Sequence, residues 1–171
     1  MMKSVTTVFQ VVSLCFLVVA YNNFVNSLPV AVKIQENVVI KEISKDLIAL
    51  KAPPKKIQEY ANAIYMTHQS TGINPKLITS LMKTESNFNT EALGPPNRTS
   101  IRYKGLMQTP TATFKFSDVD TLHGARILKE KLEITDQDLR KALALYKGGL
   151  NPVAFRQADQ VLALYSNLQK Y

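Results

Sequence analysis

Residues 74–88 read NPKLITSLMKTESNF, and this stretch indicates how the chain folds. Asn74 followed by Pro75 is typical of a helix start, because asparagine caps free N–H groups and proline is tolerated at the first helical position. Apolar side chains then recur three and four residues apart, which predicts an amphipathic helix with one buried stripe. The stripe consists of Leu77, Ile78, Leu81 and Met82.

Glu85 continues this stripe, since it lies four residues after Leu81 and three before Phe88. A carboxyl group against apolar walls tends to keep its proton, because loss of solvent penalises the charged form. A raised pKa is what a general acid needs near neutral pH. Periodicity alone also allows a second interpretation, in which Glu85 turns outward at the helix end or pairs with a lysine.

Capping signals divide the rest of the chain into further helices. The predicted helices cover residues 55–68, 118–132, 135–146 and 152–168. Gly72 is expected to stop the helix at residues 55–68, and Asp118 or Asp120 to cap the helix at residues 118–132. Thr135 with Asp138 is expected to begin the helix at residues 135–146. Residues 94–97 are predicted to be a loop within a functional loop region, residues 89–116. The sequence therefore predicts a mainly α domain with little or no β structure.

Composition excludes several classes of protein. The 171 residues include 21 basic and 13 acidic side chains, a net charge of +8, and one cysteine. One cysteine excludes a disulfide scaffold and a zinc site built on paired thiolates. His68 and His123 lack a second ligand at metal-binding spacing, so neither a metal nor a cofactor is expected. The cations are mostly scattered lysines, which disfavours nucleic acid as a partner.

The first 27 residues have the layout of a targeting segment. They carry one charge, Lys3, before the apolar run Val8–Tyr21, as in a secretory signal peptide. An uncleaved membrane anchor is the alternative, although the run is shorter than the roughly 20 residues that cross a bilayer. Both interpretations predict an exported protein of the periplasm or cell envelope, and the second predicts that it is anchored in the inner membrane. Residues 28–54 are predicted to be a linker before a domain at residues 55–171.

Three sequence blocks resemble the lytic transglycosylase family of the SLT (soluble lytic transglycosylase) type, lysozyme-like relatives of goose-type lysozyme. In family order, the blocks are Glu85-Ser86-x-Phe88-Asn89, Gly105-Leu106-Met107-Gln108 and Ala142-x-Ala144-x-Tyr146-x-x-Gly149. Each block alone is weak, but together and in order they are specific. The resemblance covers about residues 57–150 and implies a lysozyme-like helical domain with a catalytic cleft.

The resemblance implies cleavage of the β-1,4 bond between N-acetylmuramic acid and N-acetylglucosamine in peptidoglycan. Glu85 would be the single acid and base, and a 1,6-anhydro ring would form on the muramoyl sugar. Most glycosidases use two carboxylates. Between Tyr60 and Ser117 the only acid besides Glu85 is Glu91, which is consistent with a single-acid mechanism.

The same resemblance assigns substrate-binding roles to five further residues. Gly105 would allow the backbone to approach a sugar, and Gln108 would hydrogen-bond hydroxyl or acetamido groups. Tyr146 would direct its hydroxyl toward Glu85 or the N-acetyl group. Ser86 would orient the surroundings of Glu85, and Met107 would pack beneath the site.

One departure from the family lies beside the site, because Lys147 follows Tyr146 where asparagine is usual. Two alternatives to the lytic transglycosylase remain. One is a hydrolytic muramidase on the same fold, and the other is a weakly active wall-binding component of a transenvelope secretion or conjugation apparatus. Peptidoglycan strands are the expected partner in each case, and a membrane is expected only through an uncleaved N-terminal segment.

Overall fold

The computed structural model of the protein describes residues 32–96, 102–110 and 116–170, so the predicted targeting segment at residues 1–27 lies outside it. Helix α1 covers residues 32–49, and a 3-10 turn at Pro54–Lys56 leads into α2. The remaining elements are α2 (Ile57–Thr71), α3 (Pro75–Ser86), β1 (Leu93–Pro96), β2 (Arg102–Lys104), α4 (Ser117–Ile134), α5 (Leu139–Tyr146) and α6 (Pro152–Leu168). The prediction of a mainly α fold is confirmed. Among the described helices, none has the length and apolar character needed to cross a membrane.

Helix α3 packs against α2, α4 and α6. Its predicted apolar stripe is buried, and Leu81 and Met82 are completely inaccessible to solvent. The Asn74 side chain accepts a hydrogen bond from the Lys76 N–H at 2.9 Å, as expected of a helix cap. Gly72 ends α2 in the left-handed conformation, with φ 75°, and its N–H donates to the His68 carbonyl. Local capping therefore sets both ends of the α2–α3 turn.

Helix α1 corrects the prediction of a linker at residues 28–54. Residues 40–171 form one compact unit, and within it Ile43 and Leu47 are buried. The Lys76 ammonium lies 3.4 Å from the Asp46 carboxylate, which ties α1 to the start of α3. The linker prediction is therefore wrong over residues 40–52. The exposed Ile48 next to Leu47 obscured the helical period of the buried side chains.

The start of α4 differs from its prediction. Phe116 is at the cap position and makes no side-chain capping bond. Asp118 bonds only the N–H of Val119, and Asp120 points to the turn that follows β2. The prediction that Asp118 or Asp120 caps the helix is therefore wrong.

The last two helices begin with side-chain caps. Asp138 accepts from the Lys141 N–H at 3.0 Å, so α5 begins at Leu139, and Thr135 belongs to the end of α4. Asn151 accepts from the N–H groups of Val153 and Ala154, as the Asn-Pro pattern predicted.

A two-stranded antiparallel sheet replaces most of the predicted loop at residues 94–97. Leu93 pairs with Lys104, and Pro96 pairs with Arg102, with an irregular register between the two pairs. Glycine and prolines in β1 conceal the strand from sequence patterns, yet proline is tolerated in a strand at the edge of a sheet. The hairpin leads directly into residues 105–108, which form a turn beside the end of α3.

Candidate active site

A cavity of about 660 Å³ opens at the C-terminal end of α3. It lies between the hairpin on one side and the end of α5 on the other. Among the described residues its lining consists of residues 83–87, residues 92–94, Tyr103, Gln108, residues 146–148 and Gln157. The end of the buried helix stripe therefore forms the floor of a cleft large enough for sugar rings.

Glu85 lies at this floor, and its side chain is only 12% exposed. Burial raises the pKa of the Glu85 carboxyl, and the nearby Lys147 ammonium opposes that rise. The carboxyl thus combines the desolvation expected from its place on the stripe with a direct positive partner.

Lys147 is that partner, with its ammonium nitrogen 2.8 Å from Glu85 Oε1. Its side chain is 7% exposed and also donates to the Thr84 hydroxyl at 3.2 Å. A lysine this deeply buried needs a counter-ion, because an unpaired ammonium in the interior is costly. The two sequence interpretations of Glu85 are therefore both partly right, since the carboxyl is buried and also paired with a lysine.

The turn at residues 105–108 is held by Asp120 from α4. The buried Asp120 carboxylate accepts hydrogen bonds from the N–H groups of Leu106 and, at 3.4 Å, Met107. Gly105 has φ 81°, and a Cβ there would collide with the same carboxylate. Burial raises the pKa of Asp120, and the two backbone hydrogen bonds oppose that rise.

Two side chains of the cavity wall fasten the same turn. The Ser86 hydroxyl is directed to the carbonyls of Leu106 at 3.0 Å and Met82 at 3.1 Å. The Tyr146 hydroxyl donates to the Met107 carbonyl at 2.7 Å. Burial raises the pKa of Tyr146 well above its ordinary value, so its hydroxyl stays neutral.

Gln108 completes the turn and links it to the hairpin. Its side-chain nitrogen donates to the carbonyls of Ala92 and Gly105, each at 3.0 Å. Its side-chain oxygen lies against Gly94, where a Cβ would meet it at 2.6 Å. The amide nitrogen is therefore committed to the protein, whereas no residue within the described ranges donates to the oxygen.

The structure brings four of the six predicted site residues to the cavity and leaves two behind its wall. Glu85, Ser86, Gln108 and Tyr146 line it. Gly105 and Met107 are buried and do not. The close approach expected at Gly105 is made by Asp120 rather than at the cavity surface, and the Tyr146 hydroxyl binds a carbonyl rather than Glu85. Met107 packs against Gly124.

Sequence reasoning missed the roles of Asp120 and Lys147. The signal for Asp120 was that two acids, Asp118 and Asp120, stand at the start of α4, although one residue is enough to cap a helix. The signal for Lys147 was its departure from the residue usual after Tyr146. Both contacts join segments that are distant in the chain, so neither follows from local pattern.

Glu85 is the only carboxylate among the described residues that line the cavity. The gaps at residues 97–101 and 111–115 contain no Asp or Glu, so neither could supply a second one. Glu91 is exposed and outside the lining. Within the described residues, no three His, Cys, Asp or Glu side chains are grouped so that they could hold a metal ion.

Comparison with known proteins gives one match. A family model described as the transglycosylase SLT domain matches residues 62–164. The matched range contains the cavity, the turn at residues 105–108 and the Glu85–Lys147 pair. Comparison with curated proteins found no match, and comparison with solved structures found none.

Proposed function

The chain belongs to the transglycosylase SLT domain family, and from this premise we propose that it is a lytic transglycosylase with Glu85 as its only acid and base. The family implies a glycan-cleaving enzyme that acts on peptidoglycan. The proposal adds the catalytic residue, the 1,6-anhydro product and export to the cell envelope.

The observation that carries the proposal is the single carboxylate in the cavity. A glycosidase with two catalytic carboxylates places them on either side of the scissile bond. Here Glu85 is the one acid among the described lining residues. A single acid fits a reaction in which the substrate supplies the other groups, the N-acetyl group as stabiliser and the 6-hydroxyl as nucleophile.

In the proposed reaction, protonated Glu85 gives its proton to the glycosidic oxygen, and the bond from that oxygen to the muramoyl anomeric carbon breaks. The N-acetyl group of the same sugar stabilises the positive charge at this carbon. The Glu85 carboxylate then takes the proton of the muramoyl 6-hydroxyl, whose oxygen bonds to the anomeric carbon. Glu85 regains its proton, and no water is consumed.

The walls of the cavity suit these two proton transfers. The carboxyl is held on a helix whose preceding side chains on the same face, Leu81 and Met82, are buried, which limits the movement of the backbone that carries it. Ser86 and Tyr146 are directed to carbonyls of the turn at residues 105–108, which keeps the opposite wall in place. The Gln108 oxygen, to which no described residue donates, would accept from a sugar hydroxyl or amide.

Activity on purified peptidoglycan tests the proposal. We expect Glu85→Gln to reduce release of soluble fragments by about 100-fold or more, because a positioned acid and base contributes roughly 10²–10⁴. Glu91→Gln is the matched control, since Glu91 is exposed and outside the cavity, and it should retain activity. Circular dichroism must accompany both variants, because Glu85→Gln leaves the buried Lys147 without its counter-ion. Equal activity in wild type and folded Glu85→Gln would refute the proposal.

Mass spectrometry of the fragments separates the lyase from a hydrolytic muramidase. The anhydro product is lighter by one water than the reducing sugar that hydrolysis releases. We expect the lighter product. Fragments with a reducing end would instead show that the enzyme is a hydrolytic muramidase. Sequencing the N-terminus of the mature protein tests export separately, because a cleaved signal peptide and a retained anchor give different first residues.

The ion pair favours a second candidate, a weakly active wall-binding component of a secretion or conjugation apparatus. Pairing with Lys147 favours the ionised form of the Glu85 carboxyl, so a smaller fraction of the protein carries the proton that a general acid must donate. This candidate predicts binding to insoluble peptidoglycan without fragment release, and no change in Glu85→Gln.

A further inference from the structure

The Glu85–Lys147 pair is more than a surface contact near a cleft. Both side chains are nearly inaccessible to solvent, and 2.8 Å separates Lys147 Nζ from Glu85 Oε1. The ammonium is fixed a second time by the Thr84 hydroxyl, on the residue before Glu85. Lys147 immediately follows the last residue of α5, so the end of this helix anchors the charged side chain.

This arrangement opposes the first step of the proposed reaction. A general acid must carry a proton when it meets the glycosidic oxygen, whereas an adjacent ammonium favours the ionised carboxylate. The second step has the opposite need, because the carboxylate must then act as a base. A positive group at this distance therefore shifts the balance between the two steps.

We propose that Lys147 is a positioning residue that sets the pH range of the enzyme, because its ammonium is held against the Glu85 carboxyl and there favours the ionised form. This inference rests on the proposed function. It adds that Glu85 acts over a more acidic pH range than its burial alone would produce. The cause is the lysine at residue 147, where asparagine is usual in the family.

Other groups around Glu85 do not supply the same charge. The cavity wall contributes Lys83 from α3, Tyr146 from α5 and Tyr103 from β2 as its remaining titratable side chains among the described residues. Lys83 instead donates to Asn87 and lies 5.5 Å from the centre of the Phe88 ring. The Tyr146 hydroxyl donates to a carbonyl and stays neutral. Lys147 is the cation in contact with Glu85.

The test is the pH dependence of fragment release, measured from acidic to alkaline pH for wild type and Lys147→Met. The activity of wild type should fall as pH rises and Glu85 loses its proton. In Lys147→Met the desolvation of Glu85 remains but the attraction to the ammonium is gone, so the fall should move to higher pH by about one unit or more. Near the upper end of the wild-type range the variant should then be about tenfold more active, relative to its own maximum, than wild type.

Two controls make the result specific. Lys147→Arg keeps the positive charge and should keep the wild-type profile. Lys104→Met removes one positive charge from an exposed position outside the cavity and should leave the profile unchanged. If Lys147→Met does not fold, Lys147→Asn removes the same charge with the residue usual in the family and is judged by the same shift. NMR titration of the Glu85 carboxyl carbon then measures the shift directly.

Coincident profiles in wild type and a folded charge-removing variant would overturn the inference. The proposed function fails in a different way, because there Glu85→Gln retains full activity. An active wild type, an inactive Glu85→Gln and an unshifted Lys147→Met would therefore reject the role of Lys147 and leave the catalytic proposal in place.

Discussion

Replacing Asp120 with alanine should destabilise the domain and reduce activity although Asp120 lies outside the cavity. The residue is 3% exposed, and its carboxylate accepts from the N–H groups of Leu106 and Met107. Alanine leaves both donors in the interior without an acceptor. The turn they belong to also receives the hydroxyl groups of Ser86 and Tyr146, so its displacement would reach the wall opposite Glu85.

The magnitude follows from the two hydrogen bonds. An unsatisfied buried donor costs about 1–3 kcal/mol. The hydrogen bond from the Met107 N–H is long, at 3.4 Å, so its loss should cost an amount near the lower end of this range. Removing a desolvated carboxylate offsets part of the loss, because burial disfavours its charged form. We therefore expect Asp120→Ala to lower the free energy of unfolding by about 2–3 kcal/mol near neutral pH.

Urea unfolding and release of peptidoglycan fragments are the paired assays. Asp118→Ala is the matched control, since Asp118 is exposed in the same helical turn and bonds only its neighbour. It should change the free energy of unfolding by less than about 0.5 kcal/mol. Asp120→Asn keeps an oxygen acceptor for both N–H groups and should lose less stability than Asp120→Ala.

The comparison of wild type with Asp120→Asn also has a defined pH dependence. Because the pKa of Asp120 is raised in the folded state, the folded protein binds more protons than the unfolded chain between the ordinary value of 3.8 and the raised value. The stability of wild type relative to Asp120→Asn should fall as pH rises through that window. Equal stability of Asp118→Ala and Asp120→Ala, or an opposite pH trend, would refute this account of the turn.

Four further substitutions test the helices, and one of them is a control. Leu47→Ala should lower the free energy of unfolding by about 2–5 kcal/mol, because Leu47 is buried. Ile48→Ala is the control at a 59% exposed position and should lower it by less than about 0.5 kcal/mol. Equal losses in the two variants would contradict the packing of α1 into the folded unit. Gly124→Ala should cost about 1–3 kcal/mol in urea unfolding, since the new methyl group would collide with Met107, whereas alanine at an open helical site would stabilise α4. Asn74→Ala should cost about 1 kcal/mol through loss of the α3 cap, and an unchanged thermal midpoint would contradict that role.

The sequence predicted the parts of this protein that depend on neighbouring residues. Caps at Asn74, Asp138 and Asn151 act on N–H groups two or three positions away, so residue type and spacing suffice to place them. The stripe of α3 depends on helical period in the same way, and Glu85 was placed on it correctly. The three family blocks then indicated the cleft, and the family match supports them.

Tertiary structure alone decided the surroundings of Glu85. Lys147 reaches Thr84 across 63 positions of the chain, and Asp120 reaches Leu106 across 14. Such contacts leave no periodic pattern, because they depend on how separate helices pack rather than on the spacing within one. Packing also turned Ile43 and Leu47 into core residues of α1, in a segment whose mixed composition predicted a linker. The helical period by itself placed Glu85 on the buried stripe of α3; only the tertiary structure, which brings the end of α5 to the end of α3, determined that this carboxyl is paired with a buried lysine.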